Sequence, residues 1–565
     1  MRRPHILIPL AALLATLPLI LHGCSCGHDF DFHLQSWLDA AQQMRHGTIF
    51  PRWAFSPAWG AGEPRFLFYP PLSWMIGALL TLVFPVSVAP VLFTFIALCG
   101  AGFAMYRLAR EFVGENAALV AAVLYLANPY MLFNAFERTA YAELLAATWI
   151  PLLFLGVLKK RPGVVGIAVP LALLWLTNAP AAVMGTYAFA LLAAIRVVRS
   201  WRERNDSPMR LAGTSVAGFA LGLALPAFYL IPAAYERRYV QIAMAIIPNM
   251  RVQDNFLFGH TADAPHNAVL HTASLLAVSL LGVTFAAALV LALRREESGR
   301  WLRGTMLGIT LLIAFLLIPV STPVWLHLPE LAFLQFPWRM LTVLSAVLGL
   351  TVALLLGRWS GSRWVVLGVS LVCPVLLSLL CIPLYRQPCD VGDLPASMAQ
   401  AFQTHHGVGP TDEYAPVGAD NDFLRADDPA YWLASDPQAF APGTVANPAA
   451  TDPNYDSDTL PSDTLSAEAP RHLALELPQA SFLVLNLRDF ADWRVTLNGS
   501  AAAVARVQRD DGLMAFALPS GTSTIDIRWR YGWDQMVGFG VSGVALVILA
   551  MTWLVVGRKD LEPQR

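Results

Sequence analysis

The sequence predicts a polytopic α-helical membrane protein that carries an external β-sandwich domain before its last helix. Hydrophobic residues make up 56% of the 565 residues, whereas charged residues make up only 14%. Mean hydropathy is +0.53, far above that of soluble globular chains. Stretches of about 20 apolar residues, the length that crosses a bilayer as a helix, recur along the chain. Short alternating apolar runs near the C-terminus predict the β-domain.

The membrane part is predicted to contain about twelve spans. These spans lie near residues 5–24, 86–106, 115–133, 141–158, 162–177, 180–198, 211–233, 270–293, 304–320, 340–357, 364–384 and 534–557. Basic residues cluster in alternate connections, at Arg107/Arg110, Lys159/Lys160/Arg161, Arg196 through Arg210, Arg294 through Arg303, Arg358/Arg363 and Arg558/Lys559. Because basic loops stay in the cytoplasm during insertion, the pattern predicts that both termini are cytoplasmic.

The remaining connections are then external. A long first external loop runs from about 27 to 85, and its apolar stretch 70–84 is too short for a span. We therefore expect that stretch to form a helix on or dipping into the outer face. With this loop, residues 1–385 form the transmembrane domain, followed by an irregular external segment at 386–470 and a β-sandwich at 471–533. The final helix at 534–557 leads to a cytoplasmic tail at 558–565.

The first external loop places two acids, Asp29 and Asp31, directly after the first predicted span. The following Trp37, Leu38, Ala41 and Met44 have the spacing of an amphipathic surface helix. Helix capping or simple solvation would explain the acids without any function.

Arginines on the external side favour a functional explanation. External loops are expected to be poor in arginine, yet this chain places a set of arginines there, at positions 45, 52, 65, 138, 237, 238, 251 and 339. A guanidinium pairs with phosphate oxygens in a fork. An ionised carboxylate can take a proton from a hydroxyl nucleophile while arginines stabilise a phosphate leaving group. Arg237 and Arg238 could instead contact lipid headgroups only, whereas Arg339 precedes a membrane helix, where a buried cation is costly.

The order of these features resembles the GT-C superfamily of membrane glycosyltransferases. The first helix is followed by an acidic motif, then by G-x-x-x-P-R-W at 47–53, FYPPLSW, and YRLAREFVGENAALVAAVLYLANPY. More narrowly, HDFDFHLQSW, FPRWAFSPAWGAGEPRFLFYPPL, FERTAYAEL and LQFPWR are similar to the bacterial membrane family labelled 6-pyruvoyl-tetrahydropterin synthase-related. The resemblance covers roughly residues 1–385 and is weaker in the β-domain.

The resemblance implies a site and a reaction. GT-C enzymes take sugar from a polyprenyl-phosphate or polyprenyl-diphosphate carrier and use an acid of the first external loop. Here that role would fall on Asp31 or Asp29, with Glu143 as a second acid and Glu137 as its competitor. The candidate substrate-binding residues are Arg339, His33, Arg65, Arg138, Gln335 and Trp338. No cofactor is established, and a divalent metal ion stays an open alternative because no metal-ligand spacing decides it.

Three functions compete on the sequence alone. The first is a glycosyltransferase of the bacterial inner membrane, which moves a sugar from a polyprenyl-linked donor in the lipid bilayer to an envelope glycan or lipid acceptor. The second is a transporter or lipid flippase, but ionisable residues are almost missing from the middles of the predicted spans. The third is a noncatalytic envelope scaffold whose β-domain binds polysaccharide. A net charge of −1 without a basic face argues against nucleic-acid binding.

Overall fold

Residues 4–204, 207–294, 299–357, 362–444, 468–500 and 504–561 are described by the computed structural model. Some predicted features lie partly outside these ranges: the N-terminal residues 1–3, Arg358, part of the basic connection from Arg294 to Arg303, residues 445–467 of the segment 386–470, and the end of the tail 558–565. Each predicted span and each predicted strand has a counterpart within the described ranges.

Helices form the first two thirds of the chain. The first ten are Pro4–His22 (α1), Phe30–Arg45 (α2), Arg65–Phe68 (α3), Pro71–Val83 (α4), Ala89–Arg110 (α5), Glu115–Leu126 (α6), Pro129–Phe136 (α7), Tyr141–Ala146 (α8), Trp149–Leu158 (α9) and Val164–Thr177 (α10). The next nine are Ala179–Glu203 (α11), Pro208–Ala224 (α12), Ala227–Glu236 (α13), Ala264–Ala292 (α14), Arg300–Leu316 (α15), Thr322–His327 (α16), Leu341–Leu355 (α17), Arg363–Tyr385 (α18) and Pro395–Gln403 (α19). The last helix is Trp533–Leu561 (α20).

Within the described residues, nine helical stretches are long and apolar enough to cross a membrane, and up to eleven if each of two bent pairs is one span. The bent pairs join α12 to α13 at 69° and α15 to α16 at 92°. Two further apolar helices, α4 and α10, are shorter. The 14 residues of α10 extend about 21 Å at the rise of an α-helix, less than the hydrocarbon thickness of about 30 Å.

Helix boundaries in the membrane domain follow local capping chemistry. The Asn128 side chain accepts a hydrogen bond from the backbone N–H of Tyr130, and Pro129 opens α7. Asn178 caps α11 in the same way through the backbone N–H of Ala181. An Asn cap satisfies an otherwise unpaired donor, and a proline at the first turn has no N–H to lose. These caps break long apolar runs into consecutive helices.

The helix α2 differs from the expected surface helix in what its apolar face contacts. Trp37 and Leu34 are fully buried within the protein. A Cβ built on Gly77 of α4 would lie 2.2 Å from the Trp37 indole, so the two helices pack as closely as a glycine allows. The helix α2 has the amphipathic spacing that the sequence predicts, but protein side chains rather than lipid cover its apolar face. The depth of α4 in a bilayer stays a prediction.

Seven strands form the C-terminal β-region in two antiparallel sheets. They are Tyr431–Ala434 (β1), His472–Leu477 (β2), Ser481–Arg488 (β3), Trp493–Leu497 (β4), Arg506–Val507 (β5), Leu513–Leu518 (β6) and Gly521–Trp529 (β7). One sheet has the order β1-β3-β6-β5 and the other β2-β7-β4. Buried residues of both sheets, such as Leu485, Phe516 and Ile525, belong to one hydrophobic cluster. The strand β1 lies in the segment predicted to be irregular, and pairs with β3.

The first external loop is built into this β-region. Ala54 and Glu63 form an antiparallel bridge, and between them the carbonyl of Ala61 accepts a hydrogen bond from the backbone N–H of Arg488 in β3 at 3.1 Å. Trp53 belongs to the same hydrophobic cluster as the two sheets. The loop after α1 is therefore held from outside the membrane domain as well as by α4.

A disulfide joins the two ends of the membrane domain. Cys26 lies between α1 and α2, and its partner Cys389 follows α18, 363 positions later in the sequence. The sequence showed only that no two cysteines have CxxC spacing, so this pairing was not predicted. Disulfides persist in oxidising compartments, which fits the predicted external location of both residues.

Candidate active site

The site begins at a tight turn that positions the start of α2. The backbone N–H of Asp29 donates to the carbonyl of Arg138 at 2.9 Å. A Cβ on Gly27 would lie 2.2 Å from the carbonyl oxygen of Glu137, so only glycine permits this approach. Thr139 has a φ of 47°, an outlying conformation for a β-branched residue. The strained turn therefore fixes Asp29 beside Arg138.

The side chain of Asp29 pairs with Arg138 instead of capping its helix. Asp29 occupies the N-cap position of α2 but makes no side-chain capping hydrogen bond. Its Oδ2 lies 3.5 Å from Nη2 of Arg138, and 42% of its side chain is exposed. The arginine is buried, and its Nη1 lies 2.6 Å from Oε2 of Glu143. Arg138 thus bridges an accessible carboxylate and a buried one.

Glu143 lies at the centre of a buried polar network on α8. Its Oε1 accepts hydrogen bonds from the hydroxyl of Tyr130 at 2.6 Å and from the hydroxyl of Thr342 at 2.9 Å. Its Oε2 lies 3.7 Å from Nε of Arg339. We call Asp29, Arg138, Glu143 and Arg339 the acid–arginine network. Two carboxylates balance two guanidiniums in it, which is what burial of so many charges requires.

Arg339 is held by a strained turn of the backbone. Gln335 has φ 62° and ψ −52°, and the backbone N–H of Phe336 donates to the carbonyl of Leu334 at 2.6 Å. This is a γ-turn of the rare, positive-φ kind. The same carbonyl accepts from Nη1 of Arg339 at 2.9 Å, and Oε1 of Gln335 accepts from that nitrogen at 3.4 Å. Among the described residues, none accepts a hydrogen bond from Nε of Arg339.

Trp338 and His33 are buried aromatic parts of the same region. The guanidinium of Arg138 lies 5.9 Å from the Trp338 ring. The His33 ring lies 5.9 Å from the ring of Tyr69 and 5.4 Å from that of Tyr141. Burial lowers the pKa of His33 to about 4, although the Asp29 carboxylate opposes this. His33 is therefore neutral near pH 7 and packs as an aromatic residue.

A cavity of about 450 Å³ lies next to the acid–arginine network. We call it the Asp31 pocket. Its lining includes Asp31 and Gln35 of α2, Arg65, Gln335 and Glu413. Burial raises the pKa of Asp31; the backbone N–H of Phe32 and the Arg65 charge oppose this effect. Gln335 connects the pocket to the network, because its side chain also contacts Arg339.

Arg65 clamps the wall of the Asp31 pocket. Its Nε lies 2.8 Å from Oε1 of Glu63, and its Nη1 donates to the hydroxyl of Ser36 in α2 at 3.1 Å. Its Nη2 donates to the hydroxyl of Thr411 at 3.3 Å, and Thr411 in turn donates to Glu63 at 3.0 Å. The external segment after α19 is thereby tied to the first external loop.

A sequence profile assigns the chain to a family. The profile of the 6-pyruvoyl-tetrahydropterin synthase related domain, described as a membrane protein, matches residues 66–383. The chain belongs to this family. The profile begins after Asp29 and Asp31 and covers Arg138, Glu143 and Arg339, so most of the acid–arginine network lies inside the family domain. No curated protein matches the chain.

Solved structures similar to this family member include an arabinofuranosyltransferase, an oligosaccharyltransferase and ArnT. Arabinofuranosyltransferase AftD from Mycobacteria has a TM-score of 0.40 and 18% identity, covering 68% of this chain and 27% of its own. The Archaeoglobus fulgidus oligosaccharyltransferase has a TM-score of 0.37 and 12% identity, covering 69% and 57%. ArnT from Cupriavidus metallidurans, bound to undecaprenyl phosphate, has a TM-score of 0.29 and 13% identity, covering 68% and 89%.

The chain spans about a quarter of the length of AftD and just over half that of the oligosaccharyltransferase. TM-scores this low leave the function to be argued from the site itself.

The structure of this family member brings most of the candidate residues together. Asp29, Arg138, Glu143 and Arg339 form the network, with Gln335 and Trp338 in contact with it. Asp31 and Arg65 line the adjoining pocket, and His33 lies among buried aromatic rings. Glu137 stands apart, because it accepts from Nε2 of Gln387 at 2.8 Å. Of the other arginines predicted to be external, Arg237 pairs with Glu330 at the protein surface.

Sequence reasoning missed the hydroxyl partners of Glu143 and the clamp at Glu63. Tyr130 and Thr342 lie in apolar runs where nothing marks them as polar partners, and Glu63 lies in a loop without periodicity. As for metals, the described residues contain no group of three or more His, Cys, Asp or Glu side chains arranged to hold an ion.

Proposed function

We propose that the protein is a membrane glycosyltransferase that moves a sugar from a polyprenyl-phosphate-type lipid to an envelope acceptor at the outer face of the inner membrane. The observation that carries the proposal is the convergence of acids and arginines from distant parts of the sequence. Asp29 and Arg138 are 109 positions apart, and Thr342 lies 199 positions from the carboxylate that it contacts. Convergence of this kind at a cavity is the general signature of a catalytic site.

Asp31 is the residue to which we assign proton abstraction. It lines the pocket directly, and its raised pKa makes it a stronger base than an exposed aspartate. In this assignment, its carboxylate takes the proton from the acceptor hydroxyl as the oxygen of that hydroxyl attacks the anomeric carbon. The bond from that carbon to the phosphate oxygen then breaks, and the lipid phosphate leaves with the electron pair.

The arginines are assigned to the leaving phosphate. Arg339 contacts Glu143 only at 3.7 Å and has an Nε for which no described residue is an acceptor, so a phosphate oxygen would complete its hydrogen bonding. Arg138, beside the exposed Asp29, is the second cation. We assign Glu143 to holding the two guanidiniums, because Tyr130, Arg138 and Thr342 already occupy its oxygens. A fixed pair of cations stabilises charge that develops in the transition state.

The test is transfer from a polyprenyl-linked sugar by the purified protein in lipid nanodiscs. Replacing Asp31→Asn keeps the shape of the side chain but removes the proton acceptor, so we expect turnover to fall by about 10²–10⁴. Arg339→Lys keeps the positive charge but loses the planar guanidinium, which can donate two parallel hydrogen bonds to a phosphate. This variant should therefore bind the donor lipid more weakly. Asp422→Asn, an exposed external aspartate, is the matched control.

Asp29→Asn is tested alone and with Asp31→Asn, because either acid could be the base. Full activity of the double variant with normal folding would contradict the enzyme assignment and favour the scaffold function. Loss of transfer activity in Asp29→Asn but not in Asp31→Asn would assign the base to Asp29 and leave the proposed reaction unchanged.

A further inference from the structure

A larger cavity, of about 1350 Å³, lies between α2, the first external loop and the β-region. Its lining includes Arg45 of α2, Phe50 and Trp53 of the loop, and Trp493 and Trp529 of the β-region. We call it the indole cavity. The Asp31 pocket is lined by the first turns of the same helix, so α2 contributes to both cavities. The volume is above the usual range of small-molecule pockets, about 300–1,000 Å³, and suits a chain of several sugar units.

Three indoles form one wall of the indole cavity. The Trp53 and Trp493 rings lie 5.5 Å apart, and the Trp493 and Trp529 rings lie 5.0 Å apart, both edge to face. The ring faces carry partial negative charge, which attracts the polarised C–H groups of a pyranose. Tyr531 is 49% exposed and extends this aromatic lining. Trp53 and Trp493 are only 2% and 3% exposed, whereas Trp529 is half-buried. The surface that a sugar ring can reach is therefore that of Trp529 and Tyr531, held in place by the two buried indoles.

The charge of the lining is positive. Four arginines line the indole cavity, at positions 45, 52, 471 and 528, against two carboxylates, Asp39 and Glu468. Asp39 is occupied within the protein, because it accepts from the backbone N–H groups of Phe55 and Ser56 at 2.7 and 2.9 Å. The guanidinium of Arg471 is fixed over the Trp493 ring at 4.4 Å. A cation stacked on an indole places charge and aromatic surface side by side.

Arg52 adds a buried cation whose hydrogen bonding is incomplete, although its guanidinium lies over the Phe50 and Phe539 rings at 4.6 and 5.6 Å. It is 4% exposed, and its Nη2 donates to the carbonyl of Phe228 at 3.4 Å. Among the described residues, none accepts a hydrogen bond from its Nε or Nη1. Burial lowers the pKa of Arg52, and nearby acidic groups only partly oppose this effect. A buried guanidinium with two nitrogens that lack acceptors is costly, and an anionic ligand at the cavity would reduce that cost.

We infer that the indole cavity binds an acidic saccharide, whose rings pack on Trp529 and Tyr531 and whose carboxylate or phosphate groups meet the arginines. The binding site itself stands apart from the catalytic proposal. That its occupant is the sugar acceptor rests on the proposed function, and follows from the contribution of α2 to both cavities.

The test measures binding without any donor lipid, so it does not depend on transfer. The full-length protein in phosphatidylcholine nanodiscs is titrated with a galacturonic acid hexasaccharide and with neutral maltohexaose, by calorimetry and tryptophan fluorescence. We expect the acidic hexasaccharide to bind at least about tenfold more tightly, with an affinity that falls as salt rises. Equal affinities, or no binding of the acidic sugar, would overturn the inference.

Matched variants locate the site. Arg471→Gln removes an exposed cation from the lining, so we expect this variant to fold normally. Its affinity for the acidic hexasaccharide should fall about five- to tenfold. Arg494→Gln is the control, because Arg494 is exposed on the same strand as Trp493 but points to the opposite side. Equal losses in both variants would contradict the assignment. A third arm uses nanodiscs with phosphatidylglycerol: a fluorescence change on adding this lipid, without sugar binding, would assign the cavity to lipid headgroups and overturn the inference.

Discussion

Glu143 is the residue through which the two buried arginines of the site are held. Its side chain is 2% exposed and lies within ion-pair distance of Arg138 and Arg339. Removing one partner from a buried charge cluster leaves the others unpaired and desolvated, which costs about 3–5 kcal/mol. Glu143→Gln should therefore lower the thermal unfolding midpoint strongly, together with activity.

The control for Glu143→Gln is Glu330→Gln. Glu330 pairs with Arg237, but both side chains are nearly half exposed, and exposed pairs contribute about 0–1 kcal/mol. The thermal unfolding midpoint of Glu330→Gln should therefore change little. Similar midpoints for the two variants would mean that the acid–arginine network does not stabilise the fold.

The acidic side of the pH profile provides a second prediction at the residue scale. Burial raises the pKa of Asp31; the Phe32 N–H and Arg65 lower it, and Asp29 and Asp393 raise it further. A base works when ionised, so kcat/KM should decrease as the pH falls through this raised pKa. Asp393→Asn removes a charge that raises the pKa, and it should move the decline to lower pH. An acidic limb that Asp31→Asn leaves unchanged would belong to another group.

Sequence reasoning found Arg138 and Arg339 because arginine is uncommon where they lie. External loops are expected to be poor in arginine, and a buried cation at the start of a membrane helix is costly, so both residues stand out without any structure. Tyr130 and Thr342 do not, because a hydroxyl in an apolar run costs little and follows no pattern. The strained Gln335 turn also left no signal, since glutamine has no preference for a positive φ.

At the scale of elements, the start of α2 depends on one close backbone approach. Gly27→Ala would place a Cβ 2.2 Å from the carbonyl oxygen of Glu137, so the turn and the helix must separate. The hydrogen bond from Asp29 N–H to Arg138 would be lost, at a total cost of about 1–3 kcal/mol. We expect lower activity and a lower unfolding midpoint in purified protein.

The matched control is Gly368→Ala in α18, where a Cβ would meet nothing within 4 Å. In a helix interior, alanine is favoured over glycine, so this variant should be neutral or stabilising. A neutral Gly27→Ala would show that the turn is not rigid.

Elements with a regular apolar period could be predicted from the sequence, whereas those made by tertiary contacts could not. Asn498-Gly499 lies between two alternating apolar runs, a pattern that indicates a tight turn, and both residues have the positive φ, 51° and 69°, that such a turn requires. The strand β1 was missed, since its four residues lie in a segment rich in Pro and Asp and pair with a strand far along the chain. The bends between α12 and α13 and between α15 and α16 were also missed, because apolar content continues across them.

At the scale of the whole molecule, the Cys26–Cys389 bond closes the membrane domain into a covalent ring. Cys26→Ser should free Cys389 and lower stability by about 2–5 kcal/mol, because the unfolded chain regains freedom. Thermal unfolding measures the change in stability, and maleimide labelling followed by mass analysis checks the bond itself. In the native protein, Cys26 and Cys389 should be labelled only after reduction, unlike the free Cys24. Labelling of both without reduction would contradict the bond.

The same bond constrains how often the chain crosses the membrane. Two bonded cysteines lie on one side, so the chain between them crosses an even number of times. Of the nine single spans and two bent pairs within the described residues, all but the first and last lie between the cysteines, which leaves an odd number. Parity therefore requires that one of the short helices α4 and α10 also crosses, or that one bent pair returns to its own side.

The positions of basic residues favour a crossing by α10. Lys159 precedes α10 and Arg202 lies in the last turn of α11, and both belong in the cytoplasm by the positive-inside rule. The chain between them must then leave and return, so we expect α10 to cross. Its length of about 21 Å is shorter than the hydrocarbon layer of about 30 Å, so the bilayer should become thinner around it. Gly218 and Gly222 of α12 pack against α10, and the thinnest membrane should lie on this side of the protein.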